Sequence, residues 1–212
     1  MANEAMAPYA PLNTPKFIAP GVRIVDGPEI RFSYLGVKLP FPTRMTIVRL
    51  PGGSLWLHSP TKPDEALFQS IGKLGPIGFL IAPNTLHYWW IPDWKERFPS
   101  AQVYAVPGLE RSAKRRLPAQ AMLSNAPPPA WAGVIDQALI VGDLLTEAVF
   151  FHRPSRTLIV TDLIENFETG RIRSWFYRKL ISWSGAADPD GKAPIDMQLT
   201  FYRWRKPLRA AV

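Results

Sequence analysis

Short apolar runs, separated by proline and glycine, set the pattern of this chain. Residues 22–25 read as a strand, and residues 43–50 as another, closed by the turn Pro51-Gly52-Gly53. Residues 54–58 form a third, so the pair around that turn is expected to be a hairpin. Residues 63–74 change period: Leu67, Ile71 and Leu74 recur at helical spacing, with Asp64 and Glu65 suited to the positive end of the first turn. A buried strand follows at 79–82, a short helix at 92–98 and a strand at 102–106. Further strands are expected at 138–141, 147–152 and 157–161. Beyond them Ile172, Trp175, Phe176, Leu180 and Trp183 return to the helical period. Hairpins first, then strands alternating with helices, predict an α/β domain of mixed sheets covered by helices.

Composition narrows the chemistry. The chain has 212 residues, enough for one sizeable core, and we read it as a single domain over 1–212 with residues 1–16 as a flexible tail. Its 23 prolines fall between the apolar segments, where they set turns. No apolar run approaches the roughly 20 residues of a membrane span. The first 20 residues lack a basic start followed by an apolar block, so a cytoplasmic protein is expected. Cysteine is absent, which removes disulfides, thiolate metal sites and a Cys nucleophile. Only three histidines, His58, His87 and His152, are available for metal or acid–base work. His152 stands beside Arg153-Pro154 and reads as a surface residue.

The formal charge is +8, and from residue 171 onward nine Lys/Arg face three Asp. Such clusters attract acidic partners or simply solvate a face. Nucleic acid is not the favoured partner. Residues 171–184, RIRSWFYRKLISWS, combine an aromatic face with Arg171, Arg173, Arg178 and Lys179. Two accounts fit: a helix covering a sheet, with Trp175 and Trp183 buried and the cations outside, or a helix lying on an anionic membrane. We expect the first. The Trp-rich stretch at 88–94 reads in the same way as core, with an aromatic-stacking surface as its rival.

Candidate chemistry gathers at strand ends. His58 closes one strand, Asn84 and His87 follow another, and Asp162 ends a third, with Glu165 just beyond. Loops at one edge of a sheet are where ligands and reactive groups collect. His58, His87 and Asp162 offer two imidazoles and a carboxylate, a set suited to one Zn²⁺, Fe²⁺ or Mn²⁺. Water bound to such an ion would be acidified into a nucleophile, with Asn84, Glu165 and Asp162 as catalytic candidates. The competing reading is that each residue caps a strand end by hydrogen bonding, with no metal. There is no Gly-rich phosphate loop, and Ser182-Trp183-Ser184-Gly185 is no nucleophile elbow, since no strand feeds it.

These segments carry a resemblance. Residues 81–109, IAPNTLHYWWIPDWKERFPSAQVYAVPGL, resemble the metallo-β-lactamase segment that opens with H-x-H-x-D-H. Residues 147–162, EAVFFHRPSRTLIVTD, are similar to the later hairpin that delivers a metal-bridging aspartate, here Asp162. The hairpin at 44–59 resembles the early strand pair ending in L-I-D-x-G, with His58 near the Asp position. R-M-T-I-V-R-L, W-L-H-S-P, A-P-N-x-L-H and H-R-P-S-R-T-L-I-V-T-D-L together resemble an uncharacterised branch of that superfamily, of the domain of unknown function 4336 type. The resemblance implies an αββα sandwich of two mixed sheets flanked by helices, and leaves open whether the last strand is present. It also implies a degenerate metal motif, because Asn84, Leu86, His87, Tyr88 and Trp89 stand where three His and an Asp are usual. Gly142-Asp143-Leu144 replaces the next His site, and no His follows His152. The expected function is therefore a hydrolase-like protein of unknown small-molecule substrate with a one-metal or metal-free site. The alternatives are a non-catalytic ligand- or partner-binding member of the fold, and a peripheral membrane protein acting through the basic Trp-rich helix. The oligomeric state is left open.

Overall fold

A computed structural model describes residues 6–34, 37–143, 145–195 and 198. Seven strands run in the order of the sequence across one mixed sheet: β1 (Lys16–Ala19), β2 (Val22–Tyr34), β3 (Val37–Arg49), β4 (Leu55–His58), β5 (Ile77–Ala82), β6 (Gln102–Ala105) and β7 (Ala121–Met122). The first four pair antiparallel, and β4 to β7 pair parallel. A second sheet holds β8 (Ile135–Val141), β9 (Thr146–His152) and β10 (Thr157–Ile159) in the order β10-β9-β8, all antiparallel.

The expected hairpin joins β3 to β4, and Gly53 takes the positive φ of its turn, +84°. The strands before it are far longer than the sequence led us to expect. β2 and β3 extend for 13 residues each, past Pro28, Pro40 and Pro42. A register shift between Gly27 and Ile30 absorbs the irregularity that reads as a strand end in the sequence. The short strands β1 and β7 were also not foreseen.

Parallel pairing requires crossovers, and each contains a helix: α1 (Glu65–Gly72) between β4 and β5, α2 (Ile91–Arg97) between β5 and β6, and the short α3 (Leu109–Ser112) between β6 and β7. Asp64 caps α1 by accepting the Leu67 N–H at 2.7 Å, and Leu67 and Ile71 are its buried face. In α2, Trp94 is fully buried and donates its indole N–H to the Thr61 carbonyl at 2.8 Å. The rings of Phe68 and Trp94, 5.0 Å apart edge to face, pack the two helices together. The small sheet covers the large one through Trp56 on β4, whose ring meets Phe150 of β9 at 4.9 Å and Trp131 at 6.2 Å. Tyr88, Ile91 and Trp94 belong to this core, as expected for the Trp-rich stretch, while Trp89 is exposed.

A second, smaller core gathers Met6, Phe167, Ile172, Tyr177, Ile181 and Ala186. It corrects two expectations. Residues 6–16 do not trail from the body: Ala7 N–H donates to the Arg171 carbonyl at 2.8 Å, Asn13 binds Asp64, and Lys16 bonds both the Tyr9 carbonyl and Asp26. Helix α4 (Trp175–Ser184) buries Tyr177 and Ile181 rather than Trp175 and Trp183, which both face outward. His152, expected at the surface, is buried, with Nδ1 2.6 Å from the Ser155 hydroxyl. Among the described residues no helix is long and apolar enough to cross a membrane.

Candidate functional site

Because β4 and β5 run parallel with His58 opposite Ile81, their C-terminal ends open on the same edge. The small sheet is tied to that edge by Ala148, whose N–H donates to the Pro83 carbonyl at 2.7 Å. This bond sets Glu147, at the start of β9, beside Asn84, just past the end of β5. The segment after β10 then brings Thr161 and Asp162 to the same place.

Glu147 is the anchor. Its side chain is completely buried, and it accepts the backbone N–H groups of Thr161 at 2.8 Å, Asp162 at 2.9 Å and Leu163 at 3.1 Å. Burial and the neighbouring Asp162 carboxylate push its pKa up, against the pull of the bonds from Thr161. Asn84, also fully buried, works in both directions. Its carbonyl oxygen accepts the N–H groups of Leu86 and His87, each at 2.8 Å. Its amide NH₂ faces Asp162 Oδ2 at 2.7 Å, Thr161 Oγ1 at 3.0 Å and Glu147 Oε2 at 3.3 Å.

His87 is thereby fixed at its backbone, and its ring lies between two partners. Nε2 is 3.1 Å from Asp162 Oδ1, and Nδ1 is 2.7 Å from Ser59 Oγ. Burial disfavours the charged imidazolium, but the Asp162 carboxylate, helped by Glu147 and Glu165, outweighs it and raises the pKa above the ordinary 6.5. Asp162 responds in the opposite sense. Burial would raise its pKa, yet His87 and the Asn84 amide hold it below the usual carboxylate range. Ser59 completes the row with a backbone φ of +53°, uncommon for a residue with a side chain.

Of the residues expected from sequence, Asn84, His87 and Asp162 meet directly, and Glu165 lies close enough to act on His87 electrostatically. His58 does not join them as a ligand. It shares the inward face of β4 with Trp56, stacks on that ring at 5.6 Å and meets Phe150 edge to face at 5.5 Å. Burial and the nearby His87 lower its pKa to about 3, and its Nε2 has no hydrogen-bond partner. Among the described residues no group of three or more His, Asp or Glu side chains is arranged to hold a metal ion. The expected set of His58, His87 and Asp162 fails because strand alternation turns His58 inward, while Ser59, one residue on, reaches His87. Sequence reasoning missed Ser59 and Glu147. The alternation W-L-H-S, with a large apolar residue two before His58, was the available signal for Ser59.

Residues 34–172 match the family described as Domain of unknown function (DUF4336). No curated protein matches the chain in sequence. Among solved structures, the fold is similar to the DIM-1 metallo-β-lactamase exposed to ceftazidime, with a TM-score of 0.57 at 15% identity, over 86% of this chain and 91% of that one. It is also similar to a metallo-β-lactamase from Hirschia baltica (TM-score 0.54, 13% identity, 84% of this chain and 91% of that one). A metallo-β-lactamase from Pontibacter korlensis follows (0.53, 15%, 84% and 90%). At these identities the likeness speaks for the fold alone. The chain belongs to the DUF4336 family and has the metallo-β-lactamase fold.

Proposed function

We propose that this chain is a hydrolase-like protein that works without a resident metal, through a proton relay of Ser59, His87 and Asp162. The observation that carries the reading is the unbroken row from Ser59 Oγ through both ring nitrogens of His87 to Asp162 Oδ1, at 2.7 and 3.1 Å. The fold's relatives imply a divalent ion at this edge, but the donor set does not fit one. Asn84 turns NH₂ donors toward Asp162 and Glu147, where a cation would need lone pairs. Glu147 spends its oxygens on backbone N–H groups, and the one orphaned imidazole nitrogen belongs to His58, between the rings of Trp56 and Phe150.

The chemistry follows from the tautomer. When Nε2–H donates a hydrogen bond to the Asp162 carboxylate, Nδ1 keeps its lone pair for the Ser59 hydroxyl. Ser59 Oγ can then bond to the carbonyl carbon of an ester as its proton passes to Nδ1. The same proton goes to the departing alkoxide as the ester C–O bond breaks, and water returns the acyl group as acid and restores Ser59. The left-handed backbone at Ser59 supports this role, because it re-aims the hydroxyl away from the strand. The small exposure of Ser59, 6%, favours instead a non-catalytic member that holds a ligand at the same edge.

One experiment separates the two. Chelator-treated protein is exposed to a fluorophosphonate probe and digested, and the adduct is located by mass spectrometry. Labelling at Ser59 that disappears in His87→Ala supports the relay. No adduct on Ser59 in folded protein removes it in favour of ligand binding.

A further inference from the structure

Helix α4 has two apolar faces, and among the described residues only one has a partner. Ser174 caps its start by accepting the Tyr177 N–H, and Gly185 ends it at a φ of +83°. The inner face, Tyr177 and Ile181, enters the small core, and the Tyr177 hydroxyl donates to the Pro40 carbonyl at 2.8 Å. On the outer face Trp175 is 69% exposed, Phe176 64%, Leu180 41% and Trp183 87%. At 3.6 residues per turn these four, with Lys179 among them, share one arc of about 140°. Single exposed apolar residues are ordinary, but a contiguous run dominated by two tryptophans marks a contact surface.

The charges identify the occupant. The helix carries no acidic residue, while Arg178 and Lys179 lie on it and Arg173 precedes it; Arg171, also upstream, is paired with Glu168 at 2.7 Å. The Lys179 ammonium is 5.4 Å from the centre of the Trp175 ring, so the cation is part of the aromatic face. Two copies meeting through this face would bring the same cations together, since a two-fold contact repeats one patch on both sides. An anionic bilayer surface accepts both features: indole rings settle at the headgroup level, and Lys and Arg meet lipid phosphates.

We infer that α4 is a docking helix for anionic membranes, with Trp175, Phe176, Leu180 and Trp183 entering the headgroup layer and Arg178 and Lys179 bound to acidic lipid. None of Ser59, Asn84, His87, Glu147 and Asp162 is on this helix, so docking does not depend on the hydrolytic reading.

The test is co-sedimentation of the full chain with vesicles of phosphatidylcholine alone or mixed with phosphatidylserine, at low and high salt. Binding is expected only with phosphatidylserine. It should weaken several-fold as salt shortens the reach of the charges, and fall at least about tenfold in Trp175→Ser/Trp183→Ser. That double variant should melt with the wild type, because both side chains are exposed. Absence of binding to phosphatidylserine vesicles at low salt overturns the inference, as does undiminished binding by the double variant. A lower melting temperature in the double variant would assign the face to another part of the same chain. A concentration-dependent dimer abolished by it would assign the face to a second copy. Either result also overturns the inference.

Discussion

Glu147 accepts the backbone N–H of Asp162 at 2.9 Å, so one acid at the strand edge positions another by its main chain. The two carboxylates are close enough to repel, and Glu147 yields by a raised pKa while Asp162 keeps its charge for His87. Glu147→Gln should therefore be costly although nearly isosteric. Its NH₂ group would face N–H donors, and we expect a loss of about 2–4 kcal/mol. Denaturant melts would measure it, and fast hydrogen exchange at Thr161–Leu163 would locate it. An unchanged midpoint would contradict the anchoring role.

His58 makes the fold sensitive to acid. Its folded pKa of about 3 lies below the unfolded 6.5. The stability linked to neutral His58 is thus complete above 6.5 and is lost as the pH falls toward 3, at up to about 1.4 kcal/mol per pH unit. His58→Phe keeps a flat ring against Trp56 and Phe150 and removes the orphaned nitrogen. The variant should lose this part of the acid sensitivity and equal or exceed the wild type near pH 5. Thermal melts across that range would show it.

His87 titrates in the opposite direction. Its pKa is raised in the folded state, so its contribution to stability is full below 6.5 and is lost as pH rises through the raised value. Any activity that uses neutral His87 as a base should grow over that same rise. Asp162→Asn removes the main force opposing burial, and the His87 pKa should fall. Imidazole titration by NMR in both proteins would read the change, and an unmoved midpoint would separate His87 from Asp162.

Ser59 is in a backbone conformation that glycine adopts more easily. Ser59→Gly removes the hydroxyl and the left-handed strain together, while loosening the unfolded chain. We expect stability within about 1 kcal/mol of the wild type and complete loss of fluorophosphonate labelling. Retained labelling at another serine would show that Ser59 is not the nucleophile.

Much of this architecture is legible along the chain, for identifiable reasons. The β3–β4 turn announces itself through Pro51-Gly52-Gly53, and α1 through Asp64 and the spacing of Leu67 and Ile71. Asn84, His87 and Asp162 are polar residues directly after apolar strands, which is a local signal. Glu147 gives none: it opens a strand like any solvated residue and is buried only because another sheet edge meets it. The prolines of β2 and β3 suggest breaks that a register shift accommodates. On α4 periodicity offers two apolar arcs, and the richer one is not the one the core takes. Which face is buried depends on Met6, remote in sequence, and on Phe167 just upstream.

That last contact bears on how the protein is made. Pro8 accepts a bond from Arg171 across 163 residues, at 3.2 Å. At ribosomal speeds of about 5–20 residues per second, the leading segment emerges roughly 8 to 30 seconds before its partner. Throughout that interval the small core around Met6 has Tyr9 and Phe41 but lacks Phe167, Ile172, Tyr177 and Ile181, although the larger sheet can already be assembling. The two segments can meet only after that delay, so the small core should close after the larger sheet has formed.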